Sequence, residues 1–88
     1  MAKRTVEFGP VGIHTARNIE RVRRSLGLTQ SVVAYRCTAL GRPLATTALS
    51  RTEQARRRCD VDDLVAIAAA LRVHPCSLLF VPPAAPLG

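Results

Sequence analysis

Residues 44–58, LATTALSRTEQARRR, place Thr46, Thr47, Ser50 and Arg51 on one face of a helix and Leu44, Ala48, Leu49 and Thr52 on the other. Short hydroxyl side chains beside one guanidinium bury little surface but suit the edges of base pairs. A hydroxyl donates or accepts, and an arginine pairs with both O6 and N7 of guanine in the major groove. Arg56, Arg57 and Arg58 follow directly, and with Arg17 and Arg42 they are the candidates for neutralising phosphates. Gln30 opens another expected helix, where free backbone amides cradle an anion and a side-chain amide adds a donor.

Other chemistry finds little support. No hydroxyl or thiol nucleophile has a histidine near it in sequence, so no catalytic residues are expected. Cys37, Cys59 and Cys76 are odd in number and lack the spacing of a zinc knuckle, and His74 with Cys76 has no partner pair, so no metal or cofactor is expected. Asp60, Asp62 and Asp63 gather where a helix should start, and the helix dipole accounts for them.

The 88 residues suffice for one domain, and an apolar content of 48% argues against a disordered chain. The net charge of +7 is concentrated in the middle, where residues 17–58 hold ten arginines against Glu20 and Glu53. Such a footprint suits a polyanion. With Tyr35, Phe8 and Phe80 as the aromatic residues, platforms for stacking single strands are lacking, which favours duplex DNA. The longest apolar run, residues 64–71, is too short to span a bilayer, and no secretory signal is evident; a cytoplasmic protein without membrane contact is expected.

The supporting elements follow from capping residues and periodicity. A mobile basic arm over residues 1–12, a helical domain over 13–81 and a Pro-rich flexible tail over 82–88 are expected. Thr15 should cap a first helix closed at Gly27, with His14 just ahead of it and Ile19, Val22 and Leu26 buried. Arg17, Arg21 and Arg24 fall outside that stripe, and Arg23 near its edge. Thr29 should cap a second helix, burying Val33, Ala34, Cys37 and Leu40 before Gly41-Arg42-Pro43 ends it. The third helix, about 45–55, meets no Gly or Pro before Cys59 and so should carry part of the arginine triplet, with Thr46 standing in as its cap. Asp60 and Asp63 form a capping box for a fourth helix bearing Leu64, Ile67, Ala68 and Leu71, and Pro75 starts a short fifth one with Leu78, Leu79 and Phe80.

Leu28-Thr29-Gln30, then Leu49-Ser50-Arg51-Thr52-Glu53, then IAAALRVHPCSLL at residues 67–79 resemble the lambda-repressor-like (Xre, or Cro/repressor) helix-turn-helix family. The resemblance implies an all-α, five-helix domain. Its second helix would lie over the DNA backbone and its third in the major groove, as a homodimer on a palindromic operator of double-stranded DNA. Carried over residue by residue, it gives Gln30 a phosphate, makes Thr46, Thr47 and Arg51 the base readers with Ser50 at their edge, and pairs Glu53 with Arg23. The separation of Gln30 and Glu53 exceeds the family's usual one, so a lengthened turn between helices two and three is expected. Gln54-Ala55 stands where the family tends to have Asn-Gly, in keeping with a longer third helix. A repressor-like transcriptional regulator is the function implied. The alternative is a protein-interaction module, such as an antitoxin or adaptor, using the apolar end at Leu79, Phe80 and Val81; the same end is the candidate dimer contact.

Overall fold

The computed structural model describes residues 8–80, which form five helices: α1 (Pro10–Ser25), α2 (Gln30–Ala39), α3 (Thr46–Glu53), α4 (Val61–Leu71) and α5 (Pro75–Leu79). Lys3, Arg4, Val81 and the 82–88 tail lie outside the described residues.

α1 begins at Pro10, ahead of the expected Thr15. Gly9 takes the extended cap conformation and proline occupies the first turn, where its missing N–H costs nothing. The helix therefore takes in residues 10–12, part of the expected arm, as well as His14. Thr15 is a buried residue whose hydroxyl has no hydrogen-bond partner among the described atoms. Of the expected stripe, Ile19 is buried and Val22 packs against the core, but Leu26 is exposed because it sits at the C-cap, where the chain turns away. Gly27, at φ +70°, makes that turn without the strain that a Cβ would bring.

Thr29 caps α2 by accepting from the Val32 N–H, and Val33, Ala34 and Cys37 are buried. Leu40, expected inside, is the C-cap and points to solvent. Residues 40–45 then join α2 to α3, a long connection held from within. The Thr38 hydroxyl donates to the Ala34 carbonyl at 3.1 Å and accepts from the Leu44 N–H at 3.2 Å. Ala45 starts α3 without a side-chain cap, so Thr46 does not take that role.

α3 also stops sooner than expected. Gln54 closes it, Ala55 adopts a left-handed φ of 58°, and the arginine triplet lies in the following loop. A non-glycine residue in that region costs on the order of 1 kcal/mol, a cost that tertiary contacts must offset. Leu49 and Thr52 are buried on the inner face of α3 just before this turn, and Arg57 just after it donates to Asp63 at 3.0 Å.

In α4 the capping box is present in both directions, and Leu64, Ile67, Ala68 and Leu71 are buried at the spacing expected of them. The His74 side chain caps α5 by accepting from the Cys76 N–H, with Pro75 in the first turn. One core joins all five helices through Ile19, Val33, Leu49, Ile67, Leu71 and Leu78, each worth about 1.5–3 kcal/mol as buried apolar surface. Asn18 fastens α5 to α1 by donating to the carbonyls of Leu78 and Phe80, both at 2.9 Å.

Candidate nucleic-acid interface

The buried face of α3 decides what the other face can do. With Leu49, Thr52 and Glu53 turned inward, Thr46, Thr47 and Arg51 stand exposed and Ser50 is half-buried at the edge. Thr46, Thr47, Ser50 and Arg51 lie at i, i+1, i+4 and i+5, so the side chains share one outward strip. Within the described residues Thr46, Thr47 and Arg51 make no side-chain hydrogen bond, while Ser50 accepts from Gln54 Nε2 at 3.1 Å.

Two clamps position this helix. At its C-terminal end Glu53 receives Arg23 in a two-pronged pair, Nε to Oε2 at 2.6 Å and Nη2 to Oε1 at 2.9 Å. Their side chains are only 10% and 2% exposed. The third arm of Arg23 donates to the Leu28 carbonyl at 3.0 Å, and Gln30 Nε2 donates to Glu53 Oε1 at 2.9 Å. The hydrogen bond to Glu53 raises the pKa of Arg23 despite its burial, so the guanidinium keeps its charge. α1, the start of α2 and the end of α3 are thus joined at one carboxylate.

The second clamp is Asp63, whose side chain is 2% exposed. Arg42, before α3, donates from Nε to Oδ1 at 3.1 Å; Arg57, after α3, donates from Nη1 to Oδ2 at 3.0 Å. Arg42 also reaches Asp60 through Nη2 at 3.0 Å, and Arg57 reaches the Thr52 hydroxyl at 3.2 Å. Burial alone would push the Asp63 carboxyl up. The hydrogen bonds from Arg57, from the Asp60 N–H and from Arg42 outweigh it and hold the pKa below the usual aspartate value.

A depressed folded-state pKa stabilises the fold fully above the unfolded value of about 3.9, and that contribution disappears as pH falls through the lower folded value. Asp63→Asn is therefore expected to cost about 2 kcal/mol at neutral pH. Urea midpoints of the two proteins should converge as pH drops below about 4. A gap of the same size in acid would show that the charge on Asp63 does not contribute.

The residues expected at phosphate fall into two groups. Arg17, Arg56 and Arg58 are exposed. Arg42 and Arg57 are half-buried and committed to Asp60 and Asp63, and Gln30 is half-buried with its amide N–H group turned to Glu53. These three hold the scaffold of the strip. Asp63 was legible in the sequence as half of a capping box, but its arginine partners, distant or across a turn, left no local signal. Burial pushes the Cys59 thiol up to about 12, so at neutral pH it is a protonated thiol.

No family model and no curated protein matches the chain. Among solved structures it is similar to the restriction-modification controller protein C.AhdI from Aeromonas hydrophila, with a TM-score of 0.69 and 18% identity over 81% of this chain and 98% of that one. With five helices and no strand among its described residues, the fold is all-α, and the likeness shows that the two proteins share it.

Proposed function

We propose that this helix-turn-helix domain is a sequence-specific, duplex-DNA-binding transcriptional regulator of the repressor type, working as a homodimer on a palindromic site in the cytoplasm. The observation that carries the reading is the outward strip of α3. Three side chains able to pair with base edges stand exposed and unengaged on a helix clamped at both ends. Preorganisation matters because ordering a long side chain or a loose helix on binding subtracts from affinity. The similarity to a restriction-modification controller agrees with a regulatory role, and the basic middle segment supplies the sign of charge that DNA requires.

In this reading Arg51 reads a guanine, Thr46 and Thr47 contact neighbouring bases, and Ser50 works at the edge. The amides at the start of α2, beside Gln30, face a phosphate, as do Arg17, Arg56 and Arg58. Arg42 and Arg57 add to the field, but their carboxylate partners diminish their share.

Selection from a random duplex library tests the proposal. It should enrich a symmetric motif with two half-sites about one helical turn apart, and failure to enrich any motif would overturn it. On the selected site, Arg51→Ala is expected to lose about 1–3 kcal/mol of discrimination at one base position per half-site. Arg56→Ala should weaken all sequences alike. If Arg51→Ala lowered specific and random binding equally, Arg51 would be a phosphate contact instead.

A further inference from the structure

An apolar surface with no partner among the described residues lies along α2 and α4. Tyr35 is 75% exposed, Leu40 58%, Val61 74% and Val65 51%. Two shallow grooves run along it. One, of about 420 Å³, is lined by Leu40, Asp62, Val65, Ala66 and Ala69 among others; the second, of about 210 Å³, is lined by Tyr35, Ala39, Leu40, Ala69 and Arg72. Leu40 and Ala69 border both grooves, so they form the ridge between them. Scattered exposed apolar residues are ordinary, but a contiguous set on two packed helices marks an interaction surface.

The charges along this surface indicate what covers it. An acid, Asp62, stands in the first turn of α4, and a base, Arg72, stands at its C-cap. Each borders one of the two grooves, and neither makes an ion pair within the described residues. They lie ten residues apart, about 15 Å along a helix. If a second α4 runs antiparallel to the first, the register that sets Asp62 against the partner copy's Arg72 also sets Val65 against the partner copy's Ala69. The same pairs then recur on the other side of the two-fold axis, as an isologous contact demands. Alanine at positions 66 and 69 lets the two helices approach closely, and each exposed Leu40 ridge faces a groove. A surface whose two ends carry opposite charges in this order is complementary to itself. The alternative apolar end, at Leu79 and Phe80, borders a groove that Arg57 and Asp60 also line, but these two are already paired with Asp63 and Arg42.

We infer that α4, with the end of α2 beside it, is the self-association surface of this protein, packing antiparallel against the same surface of a second copy. This rests on the homodimer reading proposed above and names the contact that makes it. Asp62 and Arg72 set the register, and Val65, Ala69 and Leu40 supply the dry centre.

Sedimentation equilibrium at micromolar concentration and about 0.15 M salt tests it, with helix content followed by circular dichroism. The wild type should be dimeric. Val65→Asp should raise the dimer dissociation constant by about a hundredfold or more while leaving helix content unchanged, because it buries unpaired charge at the centre. Asp62→Arg alone and Arg72→Asp alone each set like charges opposite one another twice, and should weaken the dimer by about tenfold. The double exchange should restore it to within about threefold, a rescue that a merely structural role would not produce. A monomeric wild type, an unaffected Val65→Asp dimer, or a double exchange no better than the single ones would overturn the inference. So would dissociation by Phe80→Asp with Val65→Asp harmless, which would move the contact to the α5 end.

Binding of each variant to the selected duplex separates the two proposals. Specific DNA binding by a protein whose α4 variants do not alter association sinks this contact and leaves the DNA reading standing. An α4 dimer that ignores DNA does the reverse.

Discussion

Glu53→Ala is expected to lower the unfolding free energy by about 3–5 kcal/mol, because it leaves a buried guanidinium without its counter-charge. Arg23 and Glu53 are withdrawn from water almost completely, and their two short hydrogen bonds are what make that withdrawal tolerable. A domain of this size holds about 5–15 kcal/mol in total, so the variant should be partly unfolded near body temperature. Urea denaturation followed by circular dichroism measures the loss. The joint change Arg23→Met with Glu53→Leu should cost far less, since it removes both charges together. A loss below about 1 kcal/mol for Glu53→Ala would place both groups in water. Gln30 would also be released, so whatever fold remains should hold α2 and α3 at a looser angle.

Affinity for the selected duplex is expected to fall by more than about a hundredfold as monovalent salt rises from about 50 mM to about 200 mM. The log–log slope should be about −4 or steeper, as two copies each neutralising two or three phosphates would give. Arg17 and Arg56 are exposed, whereas Arg42 and Arg57 already face carboxylates. Fluorescence anisotropy across a salt series reads the slope directly. A flat response would remove the polyanion from the proposal altogether, because counterion release does not depend on which bases are read.

What could be read in the chain beforehand was what depends on near neighbours. Thr29, and Asp60 with Asp63, are caps whose partners lie three residues away, and α4 shows its buried stripe at i, i+3, i+4 and i+7. The outward strip of α3 was equally legible, since the inward residues Leu44, Ala48, Leu49 and Thr52 dictate it. The boundaries were harder. Ala55 has no intrinsic reason to enter the left-handed region; the turn it makes brings Arg57 to Asp63, 6 positions on in sequence but in another helix, and that bond has no local signal. At Pro10 a signal did exist, in the preference of proline for a first helical turn, but Thr15 offered a better cap and drew the start five residues late. Arg42 and Arg57 read as free cations because net charge carries no record of partners. Only the fold brings them to Asp63.

That shared aspartate has a bearing on how such a domain can change over time. The segments entering and leaving α3 are fastened to one carboxylate on α4, and its last residue to α1, so the placement of the helix is owed to residues that never face outward. Thr46, Thr47 and Arg51 carry none of that duty. On the proposed reading they can be exchanged like type in a fixed frame, altering the message without loosening the hand that holds it, and a new operator would then lie one or two substitutions away rather than a refolding away.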